Sequence, residues 1–133
     1  MKFKSKSRGF TLIEMMIVIV VMGILLALAL PNYTTAITRS KEARLHHNLA
    51  TLNNLIQQYS LDKKQAPQQL DDLVSAGYLR EIPDDITGSN TTWQTEPEDA
   101  EKAWNPDQTG IASVHSGSDE MSLEQTPYSS WRK

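Results

Sequence analysis

The sequence predicts an α+β chain. A long N-terminal α-helix, one half membrane-like and one half amphipathic, packs on a small C-terminal domain holding a short helix and a small antiparallel β-sheet. Three observations carry this expectation. Phe10 to Leu30 is a run of apolar and small residues with a single charge, Glu14. Leu45, Leu49, Leu52, Ile56 and Tyr59 then recur at spacings of four, three, four and three, one stripe along a helix. Thr91–Thr95 and Gly110–His115 are short strand-like segments on either side of an acidic stretch.

The apolar run comes first. At about 1.5 Å per residue it spans roughly 30 Å, the hydrocarbon thickness of a bilayer. A carboxylate inside such a helix costs on the order of 3 kcal/mol on insertion scales, so Glu14 calls for a partner. Lys2, Lys4, Lys6 and Arg8 precede the run and no acid does. Positive charge on this flank predicts a cytoplasmic N-terminal end and a C-terminal part outside the membrane. An ordinary secretory signal is cut after its apolar region at small residues, as Ala27 and Ala29 would permit. A cut there would discard the segment that contains Glu14.

Pro31 has no amide hydrogen to continue the helical ladder and predicts a bend. Gly23 would loosen the membrane helix or allow another helix close. Beyond Pro31 the leucine stripe continues the helix to about Leu61, with Arg39, Lys41, Arg44, Asn48, Asn53, Asn54 and Gln57 off the stripe. The repeat is too short to require a coiled coil. Lys63 to Pro67 breaks the helix. Gln68–Ala76 reads as a short helix with Leu70, Leu73 and Val74 on one side and Gly77 as its stop. Tyr78, Leu79 and Ile82 are expected to pack back on the long helix. Pro83–Asn90 is turn chemistry. Glu96–Gln108, with Glu98, Asp99, Glu101 and Asp107, reads as a solvated acidic loop. Ser116–Lys133 is polar and irregular, anchored by Tyr128 and Trp131.

The length, 133 residues, suits one small domain plus the N-terminal helix. There is no cysteine, so no disulfide staples the domain. A small domain then needs packing on the long helix, neighbours in an assembly, or a metal. The formal net charge is −3, and without the four basic residues before Gly9 nine basic residues face sixteen acidic ones. That balance argues against nucleic acid as a partner, because a phosphate backbone wants a basic face. No Ser-His-Asp spacing, phosphate-binding glycine loop or acid pair suggests catalysis, and His46, His47 and His115 do not make a zinc set. The reading is non-enzymatic, with no catalytic residue.

The stretch Arg8-Gly9-Phe10-Thr11-Leu12-Ile13-Glu14, followed by an unbroken apolar run and Pro31, resembles the class III signal of type IV pilins and type II secretion pseudopilins. The resemblance implies cleavage after Gly9 by a prepilin peptidase and N-methylation of the new first residue, Phe10. It also implies that Glu14 takes part in filament assembly. There its carboxylate would neutralise the N-terminal amine of Phe10 on an adjacent subunit, since a buried charge left unpaired costs several kcal/mol. In the free subunit Glu14, roughly 6 Å of helix rise from Phe10, would sit near the headgroups. Residues 1–9 then form a leader, 10–30 the membrane and filament-core helix, 31–61 its amphipathic continuation, and 62–133 the globular domain. Pro31 corresponds to the family's helix kink.

The C-terminal half resembles the major pseudopilin of type II secretion more loosely, by layout and by Ser116-Gly117-Ser118-Asp119 before a terminal aromatic. Major pseudopilins carry a calcium loop in this region. Asp119 matches an Asp of that loop, and Ser116, Ser118 and Glu120 would supply further oxygens. The family's later carboxylates fall here near Thr126–Ser129, which has no acid. Taken by itself the segment also reads as a polar turn held by Ser and Asp side-chain caps.

The resemblance implies a pilin-like structural subunit of a type II secretion pseudopilus. Its implied partners are other copies in a homopolymer filament, prepilin peptidase, an inner-membrane assembly platform and other pseudopilins. It would cross the bacterial inner membrane once, with the C-terminal domain in the periplasm. The alternatives are a type IV pilus pilin and a membrane-anchored binding domain that never polymerises.

Overall fold

The computed structural model describes residues 9–132, which divide after Ile37 into two compact units. Most of the predicted leader therefore lies outside the described residues. Helix α1 runs from Leu12 to Lys63 and contributes to both units. In the first unit its apolar side chains face outward on every side, from Leu12 to Leu30. Pro31 lies inside the helix, and its carbonyl accepts the hydroxyls of both Thr34 and Thr35 at 3.0 Å. Those two bonds compete with the regular ladder in the turn that already lacks the proline N–H.

The second unit is built on the leucine stripe. Leu45, Leu49, Leu52 and Ile56 of α1 are buried, and Tyr59 is half-buried beside them. They meet Leu73 of helix α2 (Asp71–Ser75), Trp93 of strand β1 (Trp93–Pro97), Ile111 and Val114 of strand β2 (Ile111–Ser116), and Tyr128 of a short 3-10 helix, Tyr128–Ser130. Each fully buried leucine or isoleucine contributes on the order of 2 kcal/mol of transfer free energy, and the stripe supplies four of the nine buried residues of this core.

Helix α2 is shorter than the expected Gln68–Ala76. The residues before it are held as a turn by the Asp72 carboxylate, which accepts the N–H groups of Gln68 (2.7 Å) and Gln69 (3.0 Å). Its C-terminal stop is the expected one. Gly77 takes φ +83°, Gly77 N–H donates to Val74 O, and Tyr78 N–H donates to Leu73 O. This pair of bonds is the Schellman motif, and it turns Tyr78 and Leu79 back onto the core.

Strands β1 and β2 pair antiparallel with Trp93 opposite Ser116 and Thr95 opposite Val114. Both begin one or two residues later than the sequence suggested. The register slips between Glu96 and Pro97, where proline has no N–H to offer the ladder. Gly117 follows β2 closely against β1's approach, and a Cβ there would collide with the Thr92 carbonyl.

Polar side chains complete what two strands alone leave open. Asn53 of α1 accepts the Val114 N–H (2.8 Å) on its Oδ1 and donates its Nδ2 to the carbonyls of Val114 (3.2 Å) and Arg132 (3.1 Å). One helix side chain thereby serves both backbone groups of the residue at the middle of β2. Asp85, buried, accepts the hydroxyls of Thr92 (2.9 Å) and Ser116 (2.8 Å) and the N–H groups of Ile86 and Gly117. It ties the turn before β1 to the end of β2.

Leu49 is fully buried in the centre of the stripe. Leu49→Ala is expected to destabilise the second unit by about 3 kcal/mol, the usual cost of a buried leucine cavity. Thermal unfolding of the detergent-solubilised chain, followed by near-UV circular dichroism, checks this.

Candidate assembly site and C-terminal loop

The N-terminal end of α1 gathers the predicted processing and assembly residues. Gly9, Phe10, Thr11 and Glu14 line one shallow depression. Phe10 is 80% exposed, so the peptide bond before it lies open. Glu14 Oε2 accepts the Thr11 N–H at 2.8 Å, and Thr11 Oγ1 accepts the Glu14 N–H at 3.3 Å. This is a reciprocal capping box, with Thr11 as the cap and Glu14 in the third helical position. The pattern Thr-x-x-Glu was legible in the sequence as a helix start, and the reading of Glu14 as a charge in need of a partner passed over it. Within one subunit the carboxylate is held by its own helix terminus, where backbone N–H groups and the helix dipole favour an anion. The carboxylate stays exposed there and faces outward with the apolar surface around it.

A window of eighteen residues in α1 has mean hydropathy 2.8, and none of it is buried among the described residues. With aliphatic side chains outward on all sides, this half of the helix has to be covered by lipid or by other helices.

The C-terminal loop places the four sequence-predicted oxygen ligands as follows. Ser116 Oγ donates to Asp85 and accepts the Ser118 N–H. Ser118 Oγ accepts the Glu120 N–H, and Asp119 Oδ1 accepts the Ser129 hydroxyl at 2.7 Å. The carbonyls of Ser118 and Glu120 accept the N–H groups of Ser129 and Tyr128. Among the described residues no group of three or more His, Cys, Asp or Glu side chains is placed to hold a metal ion. This donor set does not fit a calcium ion, which takes six or more oxygens with several carboxylates among them. The Ser and Asp caps of the alternative reading are what the geometry contains.

Sequence reasoning missed Glu42. Its Oε1 accepts the Leu123 N–H (2.8 Å) and the Tyr128 hydroxyl (3.0 Å), joining α1 to a loop more than eighty residues away. Trp131 stacks on His46 with ring centroids 4.1 Å apart and donates its Nε1–H to Thr126. Nothing in the sequence sets Glu42 apart from the other charges flanking the stripe. Burial, together with the bond to Glu42 and the nearby charges of Glu42 and Glu120, pushes the Tyr128 phenol up from 10.0 to about 12.

The geometry is that of a protein with an apolar helix half to be covered by lipid or by other helices and a small head stapled by hydrogen bonds. Comparison with known proteins agrees. The family model for the prokaryotic N-terminal methylation motif matches residues 4–30. Type II secretion system core protein G of Klebsiella pneumoniae is 34% identical over 101 residues, covering 64% of this chain and 72% of that protein. The Escherichia coli (strain K12) protein of the same name is 31% identical over 106 residues, covering 68% of this chain and 73% of its own length. Type IV major fimbrial protein FimA of Dichelobacter nodosus is 43% identical over 63 residues, 47% of this chain and 40% of that protein. No solved structure matches the chain. The chain belongs to the type IV pilin and pseudopilin family.

Two outcomes follow from this geometry. Thr11→Ala removes the cap and is expected to cost the first turn about 1 kcal/mol, seen as roughly fivefold faster amide exchange at Glu14 in micelles. Tyr128 binds its proton more tightly in the folded chain than in the unfolded one. Its contribution to stability is therefore complete below pH 10 and is lost as pH rises toward about 12. Unfolding midpoints measured across this window should fall for the natural chain and fall less for Tyr128→Phe.

Proposed function

We propose that the protein is a structural subunit of a type II secretion pseudopilus that polymerises through α1 to drive protein export. The observation that carries this is the extent of the resemblance. The match to core protein G covers 64–68% of this chain and so reaches into the C-terminal domain, whereas the match to the fimbrial protein covers 47%. A type IV pilus pilin remains the second reading, favoured by the higher identity of that shorter stretch.

In this mechanism prepilin peptidase cuts between Gly9 and Phe10 and Phe10 is N-methylated. The helix waits in the inner membrane with the second unit in the periplasm. An assembly platform then adds subunits, and other pseudopilins join the filament. Entry into the filament strips lipid from the apolar half of α1 and replaces it with neighbouring helices. Glu14 exchanges its intrachain Thr11 contact for the Phe10 amine of an adjacent subunit, because a desolvated amine needs a counter-charge. Pro31, with Thr34 and Thr35 bonding its carbonyl, is the place where the helix yields by bending.

Intact mass and N-terminal sequencing of the membrane-extracted protein test the first step. A chain beginning at methylated Phe10 only when prepilin peptidase is active is the expected result. Glu14→Ala is then expected to be processed and stable yet to yield no filaments on crosslinking or microscopy, a loss of at least about tenfold for a contact worth more than 1.4 kcal/mol. Normal filaments from Glu14→Ala would remove Glu14 from the mechanism, and a chain that still starts at Met1 would remove the pathway.

A further inference from the structure

A cysteine-free head of this size has to hold its C-terminal loop against the helix by some other means. The loop, residues 117–132, contains little apolar surface that is buried. Tyr128 is its core residue, while Met121 and Leu123 stay 66% and 43% exposed. Packing alone therefore does not define its path. Its hydrogen bonds do.

They form three layers. The first is internal: Ser122 N–H donates to Thr126 O, the two hydroxyls of Ser122 and Thr126 pair at 2.9 Å, and Gln125 at φ 59° closes the turn by donating to Ser122 O. The second closes the loop's neck, where Asp119 meets the Ser129 hydroxyl and Ser118 O meets the Ser129 N–H. The third docks the loop on α1 through Glu42, which takes Leu123 N–H and Tyr128 Oη–H on one oxygen, with Trp131 stacked on His46 one turn further along the helix. Ser129 stands in the stretch where the resembled calcium loop has its later carboxylates. A hydroxyl at that position donates to Asp119, whereas a second carboxylate would repel it and require a cation between them.

We infer that this chain closes its C-terminal loop with a cation-independent latch, in which the Asp119–Ser129 pair takes the place of a shared metal and the Glu42 carboxylate of α1 anchors the loop. Ser116 Oγ, Ser118 Oγ, Asp119 Oδ1 and the Glu120 carbonyl are each engaged by the chain's own N–H or O–H donors. Filling them with a cation would break bonds to Asp85, Ser129 and Tyr128 that the fold uses. Hydrogen bonds to an ionised carboxylate are the strong kind, so the anchor is able to replace a staple. The latch makes the head's stability independent of calcium outside the cell membrane.

The test is tryptophan-fluorescence melting of the full-length chain in detergent, with millimolar calcium chloride and with EDTA. The natural chain is expected to melt within about 1 °C in both, since a site filled a hundredfold above its dissociation constant would raise the midpoint by more than roughly 10 °C. Tyr128→Phe keeps the ring and removes one bond to Glu42, and should lower the midpoint by about 5 °C in either condition. Glu42→Ala should lower it further, and Tyr128→Phe serves where that variant does not fold. A calcium-dependent rise of several degrees in the natural chain, abolished in Asp119→Asn, would overturn the inference. So would unchanged midpoints in both latch variants.

Discussion

A two-stranded sheet has no stability of its own in water, and everything in the second unit follows from where β1 and β2 find support. They find it on the face of α1 that carries Leu45, Leu49, Leu52 and Ile56. The helix supplies the hydrophobic surface, and the strands, α2 and Tyr128 close over it. Asn53, one residue beyond the stripe, extends the same dependence to hydrogen bonding by serving both backbone groups of Val114. The sheet is thus half built from a helix side chain.

The first unit poses the opposite condition. Its stretch of α1 is as apolar as the buried stripe but apolar all round, and no segment among the described residues covers it. One half of the helix is therefore solved within the subunit and the other half only by lipid or by further copies. Glu14 lies at the N-terminal end of this exposed half, in the first turn of α1. Its capping box keeps a carboxylate satisfied at the helix start without a second chain, yet leaves it exposed. Such a charge is cheap to hold at a helix N-terminus, where the backbone N–H groups and the helix dipole favour an anion.

Without cysteine, polar side chains cross-link the head, among them Asp85 joining turn to sheet, Asn53 joining helix to sheet, and Glu42 joining helix to C-terminal loop. Each spans a long sequence separation and so restricts the chain much as a covalent staple would. Their bonds are individually modest, about 1–3 kcal/mol where a charge is involved, and every partner is a backbone group or a hydroxyl.

Local chemistry was enough to read the long helix, its apolar and amphipathic halves, the Gly77 stop and the two short strands. Each of these depends on periodicity or on one residue's backbone preference. The family's N-terminal methylation motif was likewise legible, because it is a contiguous stretch of sequence. The limits of α2 and β1 were not, since Asp72 bonding to Gln68 and Gln69, and Pro97 interrupting the ladder, act through partners that local preference does not rank. Nor were Asn53, Asp85 and Glu42 separable from the other polar residues near the stripe. Their importance comes from which backbone groups the folded chain brings within 3 Å of them, a matter of long-range geometry. The sequence by itself determined that one helix would carry both an exposed apolar half and the spine of a small domain. Only the tertiary structure decided that the domain's open edges and its last loop are closed by single carboxylates and amides reaching from that spine, because hydrogen bonds are satisfied in space and not along the chain.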